Sequence, residues 1–151
     1  MAKIRAGFVS NSSSSSFIVI DQNAPLEMEN FWVGSRLEID GTYGETEFGW
    51  TPEDYHDFWS KVNFSYIQAY YMKERFPEWT NMLAKVIEEH TGVNEVVFNF
   101  PINEYGLADA YIDHASAASE GRNTEMFESE EALRLFLFSQ SSYIHTDNDN
   151  H

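Results

Sequence analysis

Residues 77–92 read PEWTNMLAKVIEEHTG, and this stretch decides the fold class. One face of a helix through it carries, at three- and four-residue spacing, Trp79, Met82, Leu83, Val86, Ile87 and His90. Pro77 suits the first turn of a helix, and Gly92 suits the position just after its end. The pattern therefore predicts an amphipathic helix whose apolar face packs on another layer of structure.

A second helix is predicted just upstream, over residues 51–76. Thr51 is a suitable N-cap, Pro52 suits the first helical position, and Asp54 completes a first turn that resembles a capping box. The helix then carries an aromatic stripe made of Tyr55, Phe58, Trp59, Val62, Tyr66 and Tyr70. Such a stripe indicates burial in the core rather than a cofactor site.

A third helix is predicted over residues 129–138, which read SEEALRLFLF. Ser129 can cap this helix, with Glu130 and Glu131 in its first turn. The remaining residues leave hardly any polar face, so the segment is either deeply buried or a strand. We interpret it as a helix.

Several short segments have strand character: 3–9, 17–20, 31–39, 43–50, 94–100 and 107–113. Asp40 and Gly41 form a favoured turn pair, so 31–39 and 43–50 are expected to pair as a hairpin. Strands followed by helices, and then by a mixture of both, indicate an α+β fold.

We expect a single domain over residues 1–151, with a mostly antiparallel sheet covered by two or three helices. The N-terminal strands and residues 94–100 should share this sheet, and residues 141–151 should form a frayed tail. The core is expected to contain Trp59, Val62, Trp79, Leu83, Val86, Ile87, Phe98, Phe100, Leu133 and Leu137.

The charge of the chain restricts its partners. It has 25 Asp and Glu against 9 Lys and Arg, a net charge of −16. Such a charge repels nucleic acid and anionic membranes, so we expect no direct binding to either. A protein with a basic nucleic-acid-binding groove is a suitable partner. Alternatively, the charge only solvates the surface.

Two absences exclude further classes. The chain has no cysteine, which excludes disulfides, thiolate nucleophiles and cysteine zinc sites. It has no apolar run of about eighteen residues, so no membrane span is expected. The first apolar run is also too short for the core of a signal peptide. The expected location is the cytoplasm, which is that of the host cell if a phage encodes the chain.

The stretch GFVSNSSSSSFIVI, residues 7–20, is dense in serine. Its hydroxyls can settle an irregular turn between two strands, or they can cradle an anion together with backbone N–H groups. No lysine stands where a phosphate-binding P-loop needs one. The candidate binding residues of this loop are Ser10, Asn11, Ser12, Ser13, Ser14, Ser15 and Ser16.

The same stretch resembles a motif, roughly RxGFVSNSSSSSF followed by an apolar strand, that recurs in proteins of bacteriophages and some bacteria. The match runs from Arg5 to Phe17 and covers about a tenth of the chain. Residues 111–116, YIDHAS, are similar to another segment of such proteins. The resemblance implies a phage or prophage setting, and the family brings no established reaction with it.

Residues 113–116 contain the types used in hydrolytic triads, namely Asp113, His114 and Ser116. Neighbouring residues on a strand point to opposite faces, so Asp113 is badly placed to orient His114. A serine of the loop, such as Ser12, could instead act as nucleophile with His114 as base. No nucleophile elbow supports this, and a structural histidine is the alternative.

No metal site and no cofactor are predicted. The histidines are scattered, and the Asp147–Asp149 segment lacks the glycine and glutamate of a calcium loop.

Three functions stay open. The leading hypothesis is a phage-type acidic accessory protein that binds and blocks a host or defence protein with a basic nucleic-acid-binding groove. The alternatives are a virion or assembly component, and a small enzyme or small-ligand binder that uses Ser10–Ser16 with His114.

Overall fold

The described part of the chain contains three α-helices. The computed structural model describes residues 3–6, 16–26, 34–113 and 116–147. Within these residues the α-helices are α1 (Phe58–Tyr71), α2 (Phe76–Thr91) and α3 (Glu130–Phe138). The helices pack on one another, and each also contacts a strand.

Helix α2 confirms the prediction made from its apolar face. Pro77 lies in its first turn, and Gly92 ends it in the left-handed conformation, at φ 82°. The Gly92 N–H donates to the Glu88 carbonyl, which satisfies one of the last free carbonyls of the helix.

Helix α1 begins later than the predicted cap at Thr51. Its N-cap is Asp57, whose side chain accepts the Ser60 N–H at 2.9 Å. The predicted start was wrong because Glu53–Tyr55 is a strand, so its backbone is hydrogen-bonded across a sheet. Both caps are chemically suitable, and strand pairing decides between them.

Helix α3 confirms the interpretation of residues 129–138. The Ser129 hydroxyl accepts the Ala132 N–H at 3.0 Å, and Glu130 and Glu131 lie in the first turn. At the other end, the ammonium of Lys61 donates to the carbonyls of Ser139 and Ser142, at 2.7 and 2.9 Å. This buried cation therefore holds the C-cap of α3 and the turn that follows it, where carbonyls have no partner within the helix.

The described strands are, in chain order, β1 (Lys3–Ala6), β2 (Phe17–Asp21), β3 (Arg36–Ile39), β4 (Glu47–Phe48), β5 (Glu53–Tyr55), β6 (Glu95–Phe98), β7 (Ile102–Asn103), β8 (Gly106–Leu107), β9 (Tyr111–Ile112) and β10 (Tyr143–Thr146). The main sheet is antiparallel, in the order β1-β2-β10-β5. With three packed helices, it makes the chain an α+β single domain, as predicted.

The expectation of a frayed tail over residues 141–151 was wrong for residues 143–146. These residues form β10, which lies inside the main sheet between β2 and β5. Ile144 and Thr146 are buried, whereas Tyr143 and His145 are half-buried. This two-residue alternation is typical of a strand, but four residues are too few to predict one against a polar background.

The other strands form three small pairs, and they correct two predictions. The expected hairpin across Asp40 and Gly41 is absent among the described residues, because β3 pairs with β6 and β4 pairs with β9, both in parallel. Residues 94–100 therefore supply β6 to a pair with β3 and not to the main sheet. Parallel pairing needs a long crossover, which α1 and α2 provide here.

The predicted strand at 107–113 is divided between two pairs. Strand β8 forms a short antiparallel hairpin with β7, and β9 pairs with β4. Asp109, at φ 57°, adopts a left-handed conformation between them. The chain thus turns inside the segment that alternation alone marks as continuous.

The core agrees closely with the predicted set. Eight of its ten members are buried: Val62, Trp79, Leu83, Val86, Ile87, Phe100, Leu133 and Leu137. Trp59 and Phe98 are partly buried and pack against these residues. Among the described residues, no helix combines the length and the apolar character needed to cross a membrane.

Candidate functional site

Most of the serine loop lies outside the described residues. This applies to Ser10, Asn11, Ser12, Ser13, Ser14, Ser15 and His114. The pairing of Ser12 with His114, and the choice between a turn and an anion site, therefore stay predictions. The structure describes two of the candidate binding residues, Ser16 and Asp113.

Ser16 joins two segments of the main sheet that are distant in sequence. It is buried, at 3% exposure, just before β2. Its hydroxyl accepts the N–H of Asp147 at 2.9 Å. Because Asp147 follows β10, this bond ties the beginning of β2 to the end of its partner strand, which is a structural role.

Asp113 is held by its backbone at the end of β9. Its N–H donates to the Phe48 carbonyl, and its own carbonyl accepts the Ser116 N–H, at 2.9 and 2.8 Å. A Cβ on Gly49 would lie 2.4 Å from the Asp113 Cβ, and Gly49 has φ 109°. The Asp113 side chain therefore needs a glycine opposite it.

The loop after Asp113 is fixed against α1 by one buried amide. Gln68 donates through Nε2 to the Ser116 carbonyl at 2.9 Å, and its Oε1 accepts the N–H of Ala118. A buried amide that uses both its donor and its acceptor specifies one position for the loop.

A concentration of carboxylates next to α1 is a feature that the sequence analysis missed. Residues 37–60 contain no Lys or Arg, but they contain Glu38, Asp40, Glu45, Glu47, Glu53, Asp54 and Asp57. The next cation, Lys61, is 1% exposed and donates to backbone carbonyls beneath α3. This run without a cation is the signal that could have revealed the site.

Two tyrosines show that carboxylates from separate segments act on one region. Burial is the main cause that raises the pKa of Tyr55 to about 12, and further contributions come from Glu45, Glu53 and Asp57. Burial likewise raises the pKa of Tyr111, with contributions from Glu47, Asp113 and Glu45. Glu45 acts on both tyrosines. We call the five residues Glu45, Glu47, Glu53, Asp57 and Asp113 the acidic patch.

Two large aromatic side chains are exposed beside the acidic patch. Tyr43 is 61% exposed and Trp50 is 57% exposed. Each is supported by a second ring: Tyr43 by Trp59, with centroids 5.2 Å apart, and Trp50 by Tyr111, at 6.2 Å. These contacts order the two rings before any partner arrives, which lowers the entropy cost of binding.

The backbone around the acidic patch is also held firmly. Asn63 of α1 donates through Nδ2 to the carbonyls of Tyr43 and Glu45, at 2.8 and 2.9 Å. The Glu45 N–H donates to the Ser60 hydroxyl at 2.8 Å. The site is therefore built on the first turns of a rigid helix.

The histidines of the described residues make structural contacts. His145 Nδ1 lies 2.6 Å from Asp54 Oδ1, and His56 Nδ1 lies 2.7 Å from the Gln140 carbonyl. His90 stacks on Phe138, with ring centroids 3.9 Å apart. Within the part of the chain that the structure describes, no group of three or more His, Asp or Glu side chains is placed to hold a metal ion.

No protein-family model, curated protein or solved structure matches the chain significantly. The function must therefore be inferred from the acidic patch and its exposed aromatic residues.

Proposed function

We propose that the chain is a phage-type acidic accessory protein that binds and blocks a host or defence protein through the basic groove in which that protein holds nucleic acid. The main support is the acidic patch beside exposed Tyr43 and Trp50. The proposed place of action is the cytoplasm of the host.

Charge and aromatic surface would contribute to different steps of binding. Charges are screened over about 8 Å at physiological ionic strength, so a concentrated patch steers a partner better than the same charge spread over the surface. Aromatic residues are the commonest anchors of protein interfaces, and they control dissociation more than association. A patch of carboxylates with two exposed rings supplies both requirements.

The chain would block its partner because it would occupy the groove that normally holds nucleic acid. A groove for nucleic acid presents Lys and Arg to phosphates. Carboxylates can contact the same side chains, so the chain and the nucleic acid would exclude each other. Direct binding of this chain to DNA or RNA is not expected, because its net charge is −16.

The test has two stages. The tagged chain is used to capture its partner from infected cells, and the purified partner is then titrated with its nucleic acid in the presence and absence of the chain. We expect the captured partner to bind nucleic acid and the chain to displace that nucleic acid. A partner that has no affinity for nucleic acid, or that binds the chain and nucleic acid together, would contradict the proposal.

The aromatic anchor can be tested with a matched pair of variants. Trp50→Ala should raise the dissociation rate of the complex by at least about tenfold, as expected for an interface anchor. Ile102→Ala is the control, since Ile102 is 68% exposed in β7 and belongs neither to the acidic patch nor to the aromatic pairs beside it. Equal effects of the two substitutions would show that Trp50 is not an anchor.

A further inference from the structure

A second concave site lies at the end of α1, where the β7–β8 hairpin approaches the helix. It is a cavity of about 430 Å³, and its chemically distinctive lining residues are Tyr70, Tyr71, Lys73, Tyr105, Tyr111 and Ser119. A smaller cavity of about 250 Å³ shares Tyr70 and Lys73. The larger volume is within the range of small-molecule sites, roughly 300–1,000 Å³.

The apolar wall of this cavity is preformed. The ring of Tyr70 makes edge contacts with Tyr71 and Phe76, with centroids 6.5 and 5.7 Å apart. Gly106 has φ 122°, and a Cβ there would lie 3.2 Å from the Tyr70 hydroxyl. A glycine at this position therefore lets the hairpin approach Tyr70 closely and fix one side of the cavity.

Two tyrosine hydroxyls of the lining can each form a further hydrogen bond. The Tyr111 hydroxyl is buried and has no hydrogen-bond partner among the described residues. The Tyr71 hydroxyl accepts the Ile112 N–H at 3.1 Å, and within the same residues nothing accepts its own proton. A buried hydroxyl without a partner is costly, so it needs an explanation.

Lys73 supplies a cation at the border of the two cavities. It is exposed, and it forms no ion pair with any residue that the structure describes. No carboxylate lines the larger cavity, although the chain has 25 acidic residues against 9 basic ones. The lining thus offers hydrogen-bond donors and one positive charge.

The two ends of the cavity differ in electrostatic potential. Tyr111 is close enough to Glu45, Glu47 and Asp113 for their charges to act on it. An anionic group at that end would be repelled, whereas a neutral acceptor would not. Lys73 instead favours an anionic group at its own end.

We propose that this cavity binds a small aromatic acid: a planar ring that carries a neutral oxygen acceptor at one end and a carboxylate or phosphate at the other. The ring packs between Tyr70 and Tyr105, the neutral oxygen accepts from Tyr111 or Tyr71, and the anionic group lies at Lys73. The cavity borders the acidic patch at Tyr111, but this binding activity does not depend on the function proposed for the patch.

The test uses three probes that differ by one group each. The first is 4-hydroxybenzoate, which has both the oxygen acceptor and the charge. Benzoate lacks the hydroxyl, and 4-hydroxybenzamide lacks the charge. Isothermal titration calorimetry of the full chain should give the tightest binding for 4-hydroxybenzoate.

Two variants then test which residue binds the hydroxyl of the probe and which binds its carboxylate. Tyr111→Phe should weaken 4-hydroxybenzoate binding about tenfold, as loss of one buried hydrogen bond does, and should leave benzoate binding unchanged. Lys73→Met should weaken 4-hydroxybenzoate binding about threefold, as loss of one exposed ion pair does, and should leave 4-hydroxybenzamide binding unchanged.

Folding is checked in the same samples by thermal unfolding. Tyr111→Phe removes a hydroxyl without a partner, so the variant should be at least as stable as the parent chain. The proposal is overturned if 4-hydroxybenzoate does not bind the folded chain at millimolar concentration. It is also overturned if the two variants weaken all three probes equally.

Discussion

The acidic patch differs from the surface formed by α2 and α3, which we call the α2–α3 surface, in whether its carboxylates form ion pairs with Lys or Arg. On the α2–α3 surface, carboxylates meet cations: Lys85 lies 2.9 Å from Glu130, and Arg134 lies 3.0 Å from Glu89. Around the acidic patch, residues 37–60 contain no Lys or Arg. This run therefore carries seven acidic side chains and no Lys or Arg, which is a local concentration of negative charge within the overall −16.

The position of Lys61 explains how this concentration is maintained. This lysine directly follows the acidic run, but its ammonium is buried and holds the Ser139 and Ser142 carbonyls beneath α3. The cation that follows the run in sequence thus stabilises the fold instead of neutralising the surface. The comparison shows that the placement of cations, as well as the number of carboxylates, creates a charged site.

The largest expected effect comes from removing that buried cation. Lys61→Met leaves the Ser142 carbonyl without this donor and the Ser139 carbonyl with only the Ser142 N–H, so the free energy of unfolding should fall by about 3 kcal/mol. Urea denaturation measures this change. Lys85→Met, at an exposed ion pair of the α2–α3 surface, is the control and should change stability little. If the two substitutions were equally mild, Lys61 would not have the structural role described.

A smaller effect separates the structural role of a patch carboxylate from its charge. Asp57→Ala removes the N-cap of α1 and should lower the free energy of unfolding by about 1 kcal/mol. Asp57→Asn keeps an oxygen for the Ser60 N–H and should cost only a few tenths of a kcal/mol. Both variants lose one negative charge. A large loss of stability in Asp57→Asn would mean that the charge itself stabilises the fold.

The smallest expected effect is on the ionisation of Tyr55. Its pKa is raised to about 12, mainly by burial and then by Glu45 and Glu53. In the unfolded chain this tyrosine ionises near pH 10. The contribution of Tyr55 to the free energy of unfolding is therefore fully present below about pH 10 and is lost as the pH rises toward 12. Glu45→Gln should shift the tyrosinate absorbance of Tyr55 to lower pH. Glu74→Gln, outside the acidic patch, should leave it unchanged.

Much of the fold was predictable because its helices carry strong local signals. The predictions were correct for the apolar face of 77–91, for the Ser129 cap and for most of the core. The apolar face could be predicted because helical periodicity repeats over many residues. The start of α1 and the position of β10 were not predictable. In both cases the pairing of Glu53–Tyr55 with Tyr143–Thr146, which are distant in sequence, decides the structure.

The candidate sites also differ in whether the sequence alone could predict them. The acidic patch has a sequence signal, because most of its residues belong to one run without a cation. The cavity has none, because Tyr70, Tyr105 and Tyr111 come from three elements that only the tertiary structure brings together. The serine loop has a strong sequence motif, and its predicted role stays a prediction.

The most direct test of the acidic patch is the rate at which it associates with the captured partner as salt concentration changes. Glu47→Gln with Glu53→Gln removes two exposed charges from the patch, and Glu74→Gln with Glu95→Gln removes two exposed charges elsewhere. We expect the first pair to slow association about fivefold at low salt, and the second pair to change it little. At high salt the rates should converge, since screening removes the steering. Equal rates for the two double variants at low salt would contradict the account, because charge position would then not matter.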